Sequence, residues 1–331
     1  MHASGDTARV ITALLLVATA LPPGTVVVGV STIDGTNTDV VAVAPSGERE
    51  VLTSLEHARG RIPKGDLLRD DDVLETVSAV DDGAGSVLEW TDLSTGQRRI
   101  LDAGPLAAQA PHAGRTVHQT GATRFEIVSG ADHAHAIAFA GTWLSAVSGS
   151  SSLWLAADVD GAERIVAAHA PELRPVFDLG HERARSPVAT TGHGVILERE
   201  LDAAHAELVD AETHAVVWRG LPGMDPRPLD GDRIVFGAGT KHGAVVIARV
   251  DHGKLVDVVT LDSGMPGAAT PLAAELVNGR AVVVAWLNRG AAFPGALVEL
   301  TQTDRSDRAT DTNLLATPTA GAAYEVYGVT R

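Results

Sequence analysis

A turn-plus-strand unit recurs along this 331-residue chain and limits what it can fold into more than any single residue does. The clearest copies are Asp230-Gly231-Asp232-Arg233-Ile234-Val235-Phe236 and Asn278-Gly279-Arg280-Ala281-Val282-Val283-Val284. In each, a glycine-containing turn enters a short run rich in β-branched residues, and a second run and a polar turn follow. One such unit is too small to bury both its faces, so copies must stack on one another. Taking the glycine or aspartate at the strand entry as a marker gives Gly24, Asp72, Gly141, Gly192, Gly231 and Gly279, with separations of 48, 69, 51, 39 and 48 residues. Four of these steps suit a four-stranded unit of about 40–50 residues. The 69-residue step contains Phe125-Glu126-Ile127-Val128, room for an inserted strand or a degenerate further unit.

Features downstream of the markers repeat in the same order. Val40-Val41-Ala42-Val43 leads through Pro45-Ser46-Gly47 to Val51-Leu52, and Val87-Leu88-Glu89-Trp90 leads through Ser94-Thr95-Gly96 to Ile100-Leu101. Leu153-Trp154-Leu155 with Ile165-Val166, Ala206-Glu207-Leu208-Val209 with Val216-Val217-Trp218, and Val245-Val246-Ile247 with Val256-Asp257-Val258 continue the series. Compact turns between β-branched runs are hairpin signals, and helical periodicity is largely missing. The pattern predicts an all-β chain: a β-propeller of mainly four-stranded antiparallel blades, six by the marker count, with seven as the alternative. Tyr324-Glu325-Val326-Tyr327-Gly328-Val329 is expected to return as a strand beside the first unit and close the ring. Trp90, Trp143, Trp154, Trp218 and Trp286 fall in or next to strands and read as packing residues, as do Phe125, Phe139 and Phe293.

On these motifs the chain resembles the broad class of bacterial β-propeller repeat proteins. The stretch 230–236 is similar to the strand entry of the TolB-like type. Residues 206–218 resemble the blade motif of the quinoprotein-like (PQQ-like) type, with His214 where that motif has glycine. The resemblance spans about residues 24–300 and implies architecture rather than chemistry, because propellers serve unrelated functions. For the quinoprotein-like type it implies a cofactor constellation, and the residues of this chain supply no convincing one.

At 45% apolar and 21% charged residues the chain can bury a large interior, and residues 22–331 are read as one domain. Residues 1–21 are a candidate signal peptide. Arg9 precedes the apolar run 10–21, which ends in the small-x-small pattern Ala18-Thr19-Ala20 and is too short for a stable membrane span. This predicts a secreted or periplasmic protein. The alternative is that residues 10–21 form a strand of the first blade in a cytoplasmic one. The chain has no cysteine, which excludes disulfides, thiolate metal sites and cysteine catalysis. A formal charge of −16 argues against nucleic-acid binding, which needs a concentrated basic surface.

Few residues suggest chemistry. Asp70-Asp71-Asp72 and Asp81-Asp82-Gly83 offer oxygen ligands without EF-hand spacing and read as solvated turns. In Asp132-His133-Ala134-His135, His133 and His135 would share one face of a strand and could approach a divalent metal, with Asp178 or His181 from another segment. Thirteen histidines make such a pair common without function. No Gly-x-Ser-x-Gly elbow, Gly-x-Gly-x-x-Gly fingerprint or Walker loop is present. The expectation is therefore a noncatalytic binding or scaffolding propeller with a protein partner and no cofactor. The alternative is a metal-dependent hydrolase or other small-ligand enzyme with its site at the central opening.

Overall fold

The computed structural model describes residues 20–331 apart from 69–71, 81–84, 105–114, 122–123, 130–136, 141, 148–152, 160–161, 170–171, 181–183, 191–193, 211–212, 231, 290–294, 305–309 and 317–320; for residues 80, 85–86 and 101–195 it describes backbone alone. Among the described residues, seven antiparallel sheets follow one another along the chain. The first contains β1 (Val26–Thr32), β2 (Asn37–Val43) and β3 (Arg49–Glu56), and the second β4 (Lys64–Leu67), β5 (Val73–Val80), β6 (Gly85–Asp92) and β7 (Arg98–Gly104). The third has three strands, β8 (Arg115–Gly121), β9 (Arg124–Ser129) and β10 (Ile137–Ala140). The fourth comprises β11 (Thr142–Val147), β12 (Leu153–Val159), β13 (Ala162–His169) and β14 (Glu172–Gly180). The fifth comprises β15 (Ala184–Thr190), β16 (Gly194–Asp202), β17 (His205–Asp210) and β18 (Val216–Gly220). The sixth holds β19 (Arg227–Pro228), β20 (Arg233–Gly237), β21 (His242–Asp251) and β22 (Lys254–Pro266), and the seventh β23 (Ala268–Val277), β24 (Arg280–Asn288), β25 (Ala296–Gln302) and β26 (Thr310–Ala316). The last strand, β27 (Ala322–Val329), returns to pair with β1 and gives the first sheet the order β27-β1-β2-β3.

The apolar runs exist because sheets pack on both of their faces. Along β21, Val245 and Ile247 join a core with Val283, Ala285 and Val298 of the seventh sheet. The residues between and beside them, Ala244, Val246 and Ala248, join Ile196 and Leu208 of the fifth. Successive side chains of a strand point to opposite faces, so a strand buried on both sides reads as a continuous apolar run. The same layering continues from Val282 and Val284 onto Val26 and Val28, and from Val27 and Val40 onto Leu74. Trp218 bridges the fifth and sixth sheets, with its ring 5.4 Å from Phe236 in an edge-on contact and its Nε1 donating to the Ala238 carbonyl at 3.2 Å.

First strands of successive sheets meet. β27 packs against β4 and β23, β23 against β19, β19 against β15, and β15 against β11. Around the ends of the chain, the Thr25 and Thr330 main chains pair at 2.9 Å, and the buried Thr330 hydroxyl bonds both the Thr25 nitrogen and the Pro22 carbonyl.

Seven sheets are one more than the six markers suggest, and the difference has a local cause. Gly24, Asp72, Gly192, Gly231 and Gly279 precede β1, β5, β16, β20 and β24, each the second strand of its sheet. Gly141 instead precedes β11, the first strand of the fourth sheet. The 69-residue step thus contains the whole third sheet, whose second strand β9 follows Gly121. Among the described residues that sheet has three strands, and none of the six markers falls within it.

Candidate functional site

The first strands carry an alternation of charged and apolar residues, Lys64-Gly65-Asp66-Leu67 in β4 and Glu325-Val326 in β27. Lys64 Nζ makes an ion pair with Glu325 Oε2, which joins the first and second sheets. Arg227, at the start of β19 in the sixth sheet, bonds Asp225 Oδ2 at 3.1 Å and also acts electrostatically on Glu325. Charged side chains of the first, second and sixth sheets thus influence one another. Burial pushes the Glu325 carboxyl above its usual range, Lys64 and Arg227 pull it back, and Asp66 adds repulsion. Beside it, burial holds the Tyr327 phenol neutral, and its hydroxyl donates to the Pro63 carbonyl at 3.2 Å.

The loop before β19 is anchored by Glu198 of β16. Its carboxylate accepts the main-chain N–H groups of Gly223 at 2.6 Å and Asp225 at 2.9 Å. Burial is the largest influence on Glu198 and raises its proton affinity against those two bonds. These side chains form a group of mixed charge that can hold a ligand or segment through complementary ion pairs.

A hydroxyl and an imidazole do meet elsewhere. Thr38 Oγ1 lies 2.9 Å from His57 Nε2, while His57 Nδ1 is 2.8 Å from the Ala58 carbonyl. A carbonyl only accepts, so Nδ1 donates to Ala58. Both residues are buried.

His133, His135 and His181 lie outside the described residues, as do Asp70, Asp71, Asp81 and Asp82; Asp178 falls in β14, where backbone alone is described. Among the described residues, no group of three or more histidines and carboxylates is placed to hold a metal ion. No helix among them is long and apolar enough to cross a membrane. The sequence reading passed over Lys64, Asp66, Asp225, Arg227 and Glu325. The signal available for them was charge at alternate positions of short strands otherwise fitted for burial.

Neither a protein-family model nor any curated protein matches the chain. Among solved structures it is similar to the β-propeller domain of the Trilobed protease from Pyrococcus furiosus, with 12% identity over 91% of this chain and 95% of that one, at a TM-score of 0.55. That domain is described as having an open velcro topology, whereas here β27 pairs with β1. TolB from Acinetobacter baumannii matches at 12% identity over 92% of this chain and 67% of that one, TM-score 0.48. AztD from Citrobacter koseri matches at 9% over 93% and 100%, TM-score 0.44. The chain thus has an all-β fold of four-stranded antiparallel sheets that resembles β-propellers.

Proposed function

We propose that residues 22–331 form a single seven-bladed β-propeller, closed by β27, that acts as a noncatalytic binding module for a protein partner. The observation that carries this reading is the run of contacts between the first strands of successive sheets, β11 to β15, β19, β23, β27 and β4, with Lys64 and Glu325 paired across two of them; in such a frame the turns present recognition groups. Strands buried on both faces supply a rigid frame.

Export to the periplasm or beyond the cell is part of the same proposal. Ala20 is exposed, whereas Leu21 packs against the core between the first two sheets, so cleavage after Ala20 would leave Leu21 in place. Mild crosslinking of the tagged protein in its native cells, followed by mass spectrometry against an untagged control, tests the binding role. A protein recovered specifically at near-stoichiometric abundance, and lost when Lys64 and Arg227 are both changed to Glu, supports it. Recovery of no such partner contradicts it.

A further inference from the structure

The loop Leu221-Pro222-Gly223-Met224-Asp225-Pro226 is clamped from three directions. Glu198 takes two of its N–H groups, the Met224 carbonyl accepts from Gly237 at 2.6 Å with the Met224 side chain fully buried, and the Thr270 hydroxyl donates to the Gly223 carbonyl at 3.0 Å. Inside this clamp Asp225 adopts φ 44°, in the left-handed region. A non-glycine residue there is unusual, and a residue before proline is sterically driven toward extended backbone, so Asp225 carries two conformational penalties at once. Its Oδ2 accepts from Arg227, while its Oδ1 is buried without a hydrogen-bond partner among the described residues.

We propose that the Asp225–Pro226 peptide bond is a self-cleavage site. Asp225 Oδ1 attacks the main-chain carbonyl carbon of Asp225 itself and closes a five-membered cyclic anhydride. The C–N bond to Pro226 breaks, its electron pair stays on the proline nitrogen, and that nitrogen takes a proton and departs as a secondary amine. Water then opens the anhydride, leaving a side-chain carboxyl and a new C-terminal carboxyl on Asp225. The net reaction consumes one water and involves no oxidation.

Two features favour this bond. Release of the loop relieves the strain stored at Asp225, as backbone strain can contribute to reactivity at special sites. Oδ1 is desolvated and unbonded, and Arg227 holds the other oxygen. The proton taken by the Pro226 nitrogen comes from the mildly acidic solvent.

The full-length protein is incubated at about pH 5 and followed by intact mass and denaturing gel, in buffer and in unfolding urea at the same pH. The expected result is two fragments meeting between 225 and 226, whose masses together exceed the parent by one water, forming about tenfold faster from the folded chain than from the unfolded one. Asp225→Asn and Pro226→Ala should each slow the folded reaction by about tenfold or more, with circular dichroism confirming that they fold. An intact folded chain, or equal rates with and without urea, would overturn the proposal; the urea comparison needs no variant.

Discussion

Thr76, Ser78 and Thr91 place hydroxyls in the interior of the second sheet with no hydrogen-bond partner among the described residues. An unsatisfied buried hydroxyl costs about 1–3 kcal/mol, whereas a methyl of similar shape costs nothing there. Thr91→Val should therefore raise the free energy of unfolding by about 1 kcal/mol in a urea titration. A comparable loss would mean that the hydroxyl is bonded in solution. The buried carboxylates divide by partner. Arg199 bonds Glu207 at 2.6 Å and, with Arg219, holds its carboxyl below the usual value, so its contribution is present above about pH 4.5 and disappears as pH falls through the folded value. Glu299 is bonded by Thr301 and Asn313, and burial lifts it above 4.5. The folded state then binds that proton more tightly than the unfolded one, and stability declines as pH rises from about 4.5 through the raised value. Urea midpoints across the acid range should show Glu299→Gln gaining on the parent as pH rises through that window, and Glu207→Gln losing. Parallel curves for all three proteins would refute the assignment. At this scale the sequence was readable for turns but not for these interior charges. His214 stands where a blade motif has glycine and indeed adopts φ 58°. Whether Glu299 meets an arginine or an asparagine is decided by cross-strand register, which one strand's residues do not specify.

Each four-stranded sheet described carries the same device on its outer strand. The third and fourth strands slip by one residue, leaving Leu52, Leu101, Val176, Val217 and Leu315 as extra residues in five sheets, and one of Asp257 and Val258 in the sixth. Bulges twist an edge strand away from a regular ladder and discourage pairing with another chain. They also explain the exposed aliphatic residues Val51, Ile100, Val258 and Leu314, which lie at or just before the slip. Leu314 points to solvent while its neighbour Leu315 is buried against the first and seventh sheets. Leu314→Lys should shift stability by less than about 0.5 kcal/mol, and Leu315→Ala should cost about 2–4 kcal/mol. Similar costs for the two in a urea titration would contradict the bulge. Strand existence was legible because β-branched runs and turn residues mark it directly. The extra residue was not, since a bulge leaves the run of apolar residues unbroken.

For the molecule as a whole, a repeated hairpin was enough to reach sheets stacked face to face, since each strand's uninterrupted apolar run requires cover on both sides. The number of sheets was harder, because the three-stranded third sheet breaks the spacing. That sheet could be seen only once β11 was placed as a first strand. The acidic surplus has a physical location as well. Asp92, Asp202 and Asp230 accept main-chain N–H groups within their own hairpin turns, so part of the charge of −16 serves turn geometry rather than a ligand. Strands from opposite ends of the chain join one sheet and so hold the stack together. Val30 of β1 lies directly opposite Tyr324 of β27, at a spacing of about 4.5–5.5 Å for antiparallel partners, which a disulfide can span. Because the chain has no other cysteine, Val30→Cys combined with Tyr324→Cys gives an unambiguous report. Mild oxidation followed by thiol titration and mass spectrometry should find an intramolecular disulfide in a monomer, with a melting temperature above that of its reduced form. Free thiols, or disulfides formed only between molecules, would contradict the closure.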